Sequence, residues 1–173
     1  MKKKKFLDEL YRVNHAGELG AQIIYLTQMR FSNDPVLKRK LKKMAEEEKV
    51  HLDFFEKKIL ENRTRPTFMR PLWDAGGFAL GAITSILGEK YVFACTEAVE
   101  EVIVEHYKDQ IDILGKNSME AGLKKKLKKF CDDEATHQNF AKSKINEEEV
   151  KLKIFRKFTK TITKSAIEIS KKI

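Results

Sequence analysis

Two short stretches decide how this chain reads: "EEEKVHLDFF", residues 46–55, and "CDDEATHQNF", residues 131–140. In each, a histidine follows a glutamate by three positions, His51 after Glu48 and His137 after Glu134. On an α-helix such residues stand one above the other on the same face. The neighbours say which face it is. Glu48 shares its side with Leu41, Met44, Ala45, Leu52 and Phe55, and Glu134 shares its side with Leu127, Phe130, Cys131 and Ala141. Both pairs are therefore expected to point inward. The other acids of the "EEE" and "DDE" runs are expected to face solvent.

An ionised carboxylate is costly to bury unless it is paired or bound to a metal. A single ExxH on a helix is ordinarily a solvated face. Two copies, each preceded by a helix with one glutamate on its apolar side, point to a bundle-core metal site. Such a di-iron or di-manganese site takes one glutamate from each of two helices and a Glu-x-x-His from each of the other two. The competing reading is a buried salt-bridge network.

The first helix offers Glu18, in "RVNHAGELGAQIIY" (residues 12–25), the one acidic residue between Glu9 and Asp34. Its face carries Tyr11, Asn14, Ala21, Gln22 and Tyr25. The third helix offers Glu97, Glu100, Glu101 and Glu105. Glu97, Glu101 and Glu105 repeat at i, i+4, i+8 and read as a polar stripe. Glu100 shares its side with Phe93, Thr96, Ile103, Val104 and Tyr107, so it is the expected ligand. Carboxylate with imidazole suits iron better than a thiolate set would.

Apolar residues elsewhere also recur at threes and fours, which predicts an all-α chain. Helices are expected over residues 5–30, from Asp34 and Pro35 to about Leu60, over 89–114, over 119–142, and in a basic amphipathic segment over 147–172. Asp34 can cap the second helix, and Pro35 suits its first turn. That last segment has apolar positions at Ile154, Phe155, Phe158, Ile162, Ala166 and Ile169. Between the two halves lies a crossover of residues 62–88. It begins polar and proline-marked and ends in the uncharged "AGGFALGAITSILG", residues 75–88, too short and glycine-rich to span a bilayer. The expected architecture is a ferritin-like four-helix bundle with a long crossover, in one domain over residues 1–173.

Composition narrows the setting. Only two cysteines occur, Cys95 and Cys131, in no CxxC pair, so a reducing compartment fits and both thiols are expected to be inert. The start, "MKKKKFLDEL", has no apolar secretory core and no transit-peptide character, which suggests a bacterial or already mature chain. The formal charge is +9. Lysine dominates it, and arginine is the preferred reader of phosphate, so an anionic membrane surface is favoured over nucleic acid. His15 either supports Glu18 or is merely polar; His106 and Tyr107 either line a pocket or are bland, and spacing favours neither.

Beyond these ligands, "NHAGELGA" (14–21), "RPLWDAGGFALGA" (70–82), "ACTEAVEEVIVEHY" (94–107) and "DDEATHQNFA" (132–141) resemble the demethoxyubiquinol hydroxylase family of ubiquinone biosynthesis. The resemblance runs from about Tyr11 to the C-terminus, with its motifs in order. It implies a ferritin-like fold and two iron ions (Fe2+/Fe3+). The implied reaction is hydroxylation of 2-polyprenyl-3-methyl-6-methoxy-1,4-benzoquinol by dioxygen, with the quinol or NADH as electron source. No Rossmann glycine fingerprint accompanies it. Carried over, the ligands are Glu18 and His51 on one iron, Glu100 and His137 on the other, and Glu48 and Glu134 bridging. His106 and Tyr107 match a pair implicated in substrate reduction. Two family features differ here: Val50 stands where an acid is common, and Gln138 where a second histidine is common.

A polyprenyl substrate lives in the bilayer. Residues 75–88, Trp73 and the basic C-terminal segment are therefore expected to make a peripheral contact with anionic lipid, on the cytoplasmic face of a bacterial inner membrane. The alternative for both segments is ordinary packing against each other and the bundle, and the expectation is a mix of the two with a hydrophobic tunnel between the segments. A homo-oligomer or a complex of ubiquinone-biosynthesis proteins is left open. The competing functions are a tRNA-modifying di-iron hydroxylase, a ferritin-type iron store and a metal-free helical adaptor.

Overall fold

The computed structural model describes residues 2–146 and 148–172. Six helices follow one another: α1 (Lys2–Phe31), α2 (Pro35–Asn62), α3 (Arg70–Leu87), α4 (Glu89–Lys116), α5 (Ala121–Lys142) and α6 (Val150–Lys172). No strand occurs among the described residues. The all-α class and the order of helix pair, crossover, helix pair and basic last helix are those of the ferritin-like reading. Residue 147, where the sequence pattern starts the last helix, lies outside the described residues.

The crossover is more regular than its sequence suggests. Residues 70–77 belong to a helix and not to a polar linker, because Pro71 falls in the first turn, where its missing N–H costs nothing. Gly88, at φ +101°, ends α3 in a conformation that favours glycine.

The chain forms two compact units. One gathers the chain up to Val92 together with the segment from Lys164; the other is Phe93–Thr163.

In the first unit, α1 packs on α2 and on α3. Asp34 starts α2, its Oδ1 accepting from the Val36 N–H at 2.7 Å, and Arg63 in the left-handed region closes it. Between these ends, Leu37, Leu41, Met44, Ala45, Glu48, His51, Leu52, Phe55 and Ile59 are buried at helical spacing.

Packing of α3 on α1 is of another kind. The buried residues of α3 are Gly77, Gly81 and Thr84. A Cβ on Gly81 would lie 2.8 Å from both the Ile24 carbonyl oxygen and Thr27 Cβ. The two backbones therefore approach closely, which only glycine permits. Polar bonds pin the contact: Gln28 Nε2 donates to Thr84 Oγ1 at 3.0 Å, and Ser85 Oγ donates to the Gln28 carbonyl at 2.8 Å. Trp73 Nε1 donates to Ser170 Oγ at 3.0 Å. With glycine turned inward, the large side chains of α3 turn out, leaving Leu72, Phe78, Ile83, Ile86 and Leu87 exposed.

The second unit buries an unbroken run on α4, residues 93–100, and the α5 face of Leu123, Leu127, Phe130, Cys131, Glu134, His137 and Ala141. Phe93 meets Phe140 edge-on with centroids 5.7 Å apart. From α6, Leu152 and Thr159 are fully buried, while Ile154, Phe158 and Ile162 stay exposed. No helix among the described residues is long and apolar enough to cross a membrane.

Candidate metal centre

In the first unit, α1 presents Glu18 and α2 presents Glu48 and His51, with 3%, 1% and 2% of their surface exposed. Each offers a ligand atom, and these atoms lie within 4.8 Å of one another. His51 Nδ1 stands 3.4 Å from Glu18 Oε2. The second unit repeats the arrangement with Glu100 from α4 and Glu134 and His137 from α5, again with ligand atoms within 4.8 Å. His137 Nδ1 is 3.1 Å from Glu134 Oε2. All three are at most 3% exposed. The six predicted residues thus form two triads of the same composition, two carboxylates and one imidazole.

That donor set fits a divalent cation. Two carboxylates this deeply buried and this close repel each other, and a single imidazolium cannot balance both. A first-row metal compensates both charges and takes the neutral imidazole nitrogen as a further ligand. The flanking acids behave as the pattern predicts: Glu46 and Asp132 are exposed, and Glu47 and Asp133 are half-buried.

Other residues are placed as follows. Tyr107 is completely buried, and His106, half-buried, pairs through Nε2 with the Gln110 side-chain amide at 2.8 Å. His106 falls in neither triad. His15 is buried with Nε2 3.9 Å from Glu56 Oε1. Burial lowers its pKa, helped by Arg70 and opposed by Glu56 and Asp74. Both cysteines are buried. Burial pushes the Cys95 thiol far up, with Glu100 adding to it, and pushes Cys131 up as well.

The polar stripe of Glu97, Glu101 and Glu105 runs from solvent into the interior: Glu105 is exposed, Glu101 half-buried and Glu97 fully buried. Its carboxylate takes two bonds from Arg156, Nε to Oε2 and Nη2 to Oε1, each 2.5 Å. Lys160 Nζ lies 2.6 Å from Glu101 Oε2 and 3.8 Å from Glu97 Oε1. The signal for this cluster was available in the last helix: Arg156 and Lys160 are four apart, matching the spacing of Glu97 and Glu101.

Residues 5–170 match the family described as "Ubiquinone biosynthesis protein COQ7". The chain is 36% identical over 172 residues to the mitochondrial NADPH-dependent 3-demethoxyubiquinone 3-hydroxylase of Dictyostelium discoideum, covering 99% of this chain and 79% of that protein. It is 44% identical over 138 residues to the 3-demethoxyubiquinol 3-hydroxylase of Rhodospirillum rubrum, covering 77% of this chain and 62% of the relative. The human NADPH-dependent 3-demethoxyubiquinone 3-hydroxylase gives 44% over 139 residues, with the same 77% and 62% coverage. The chain thus spans less than two thirds of the length of the last two. On the family match and these identities, the chain belongs to the COQ7 family of ubiquinone-biosynthesis proteins.

Proposed function

We propose that this chain is a 3-demethoxyubiquinol 3-hydroxylase that places one oxygen atom of dioxygen on the open ring carbon of a polyprenyl benzoquinol. The observation that carries the reading is the duplicated Glu2His triad in a member of the COQ7 family. In this reading Glu18, Glu48 and His51 would hold one iron and Glu100, Glu134 and His137 the other, as parts of one hydroxylase domain. When bound, the iron pair supplies dioxygen activation. In balance, ring C–H, dioxygen, two electrons and two protons give ring C–OH and water. The electrons come from a reduced nicotinamide, NADPH by the names of the relatives and NADH by the family resemblance, or from the quinol.

The protein's own part is positioning and exclusion of water. Phe55 is buried on the helix that carries Glu48 and His51, and Phe130 is buried on the helix that carries Glu134 and His137, so the ligands of each unit lie among apolar neighbours where charge is felt strongly. His106 and the neighbouring Tyr107 are the pair assigned to meet the quinol or a reductant. The family favours a quinol over tRNA.

Membrane contact belongs to the same proposal. The exposed apolar side chains of α3 and the lysine-rich α6 suit a peripheral contact with anionic lipid, where the polyprenyl tail resides. The setting proposed is the cytoplasmic face of a bacterial inner membrane, with a homo-oligomer or a biosynthetic complex as the working assembly. The test is conversion of demethoxyubiquinol by iron-loaded protein on anionic vesicles; iron-loaded protein that leaves the quinol unchanged but modifies tRNA would replace the substrate.

A further inference from the structure

Two acids of α4 are almost wholly buried one helical turn apart, Glu97 at 0% and Glu100 at 1% exposure. Both have the chemistry of a metal ligand. Only Glu100 joins His137 and Glu134 in a triad. What separates them is α6. Arg156 grips Glu97 with two parallel bonds of 2.5 Å, and Lys160 adds a second cation 3.8 Å away. Such a two-pronged guanidinium–carboxylate pair fixes direction as well as charge.

Stability alone is a poor reason for this pair. Side-chain exposure is 11% for Arg156 and 0% for Glu97, so both ions lose most of their hydration. A buried ion pair often gains nothing over apolar residues of the same size. Its retention is better explained by what it prevents. An unheld carboxylate three residues before Glu100 has a flexible stem and the same affinity for a divalent cation.

We propose that Arg156 is a positioning residue for the metal centre, holding Glu97 away from it so that Glu100 alone of the α4 acids serves as ligand. The inference rests on the metal reading above and extends it to α6. Glu101 is held by Lys160 at 2.6 Å and Glu105 is exposed, so each of the four glutamates between residues 97 and 105 has a distinct place.

Cobalt(II) tests this without turnover, since its visible absorption weakens as coordination number rises. Wild-type protein, Arg156→Met, Arg156→Lys and each of these combined with Glu97→Gln are titrated with Co2+, and folding is checked by circular dichroism. Arg156→Met is expected to lose visible intensity per bound Co2+ as Glu97 enters the coordination sphere. Adding Glu97→Gln is expected to restore the wild-type spectrum. Arg156→Lys keeps a cation but not the two-pronged grip, and is expected to show the same Glu97-dependent loss in smaller measure; it carries the test if Arg156→Met does not fold. A wild-type spectrum in the folded single variants overturns the proposal, as does a changed spectrum that Glu97→Gln leaves unrepaired, which is the mark of a merely structural role. Wild-type protein that binds no Co2+ overturns the metal reading itself.

Discussion

Replacing Gly81 by alanine adds one methyl group at the tightest point of the α1–α3 contact. An alanine Cβ would sit 2.8 Å from the Ile24 carbonyl oxygen and 2.8 Å from Thr27 Cβ. Ordinary carbon contacts are near 3.5 Å, so the helices must part by about 0.7 Å. The Gln28–Thr84 bond at 3.0 Å and the Ser85–Gln28 bond at 2.8 Å sit beside this point and lengthen with it. Overpacking of this kind costs about 1–3 kcal/mol; because the added carbon meets the Ile24 backbone rather than the end of a flexible side chain, the upper part of that range applies, about 2–3 kcal/mol, set against a helix-propensity gain of about 1 kcal/mol for alanine over glycine. The net loss is about 1–2 kcal/mol, or roughly 2–8 °C in Tm for a chain of this size. Gly20 on α1 is the internal control: an added Cβ there meets nothing within 4 Å. Gly20→Ala should therefore raise Tm by a few degrees, about 0.5–1 kcal/mol. The assay is a thermal melt of the metal-free protein followed by circular dichroism. Gly81→Ala melting with or above wild type would refute the close-contact argument.

Three further outcomes follow from the same coordinates. Native protein should react slowly at both Cys95 and Cys131 with a thiol reagent at pH 8, because burial disfavours the thiolate at both, and should react fully once unfolded; rapid labelling of native Cys95 would contradict its burial. His15 has its pKa lowered below 6.5 by burial, so protons favour the unfolded chain: the associated stability is complete above pH 6.5 and falls as pH drops toward the folded value. His15→Gln should accordingly flatten the acid-side decline of Tm in the metal-free protein, and an unchanged slope would remove His15 as its source. Ile83→Glu with Ile86→Glu alters exposed side chains of α3 and should cut cosedimentation with anionic vesicles severalfold while leaving Tm within a few degrees, about 0.5 kcal/mol; undiminished cosedimentation would take α3 out of the contact.

Much of the candidate site's geometry was legible in the sequence because helical periodicity converts spacing into direction. Glu48 with His51 and Glu134 with His137 were flanked by enough apolar residues to fix which way they face, and Glu18 had no acidic competitor nearby. Glu100 was harder. The choice against Glu97 rested on face alone, and both turned out to be buried. The difference lies in a partner 59 residues away in sequence, Arg156, whose only trace in the sequence is that Arg156 and Lys160 repeat the spacing of Glu97 and Glu101. The crossover shows the opposite limit. Arg70–Leu87 is a helix whose inner face is glycine and threonine and whose outer face is large and apolar. A periodicity rule that assigns apolar residues inward misreads such an element. Most of the apolar positions marked on the last segment are likewise outward: Ile154, Phe158 and Ile162 are exposed, and the buried residues of α6 are Leu152, Thr159, Ile167 and Ser170.

The most direct measurement supplies anaerobically iron-loaded protein with demethoxyubiquinol and 18O2 and reads the quinone by mass spectrometry, beside Glu48→Ala and Glu134→Ala. The account predicts one 18O atom gained by the ring with wild-type protein, and loss of both that product and bound iron when either glutamate is removed. Wild-type protein holding two irons that leaves the quinol unlabelled, or full activity in either variant, would contradict it.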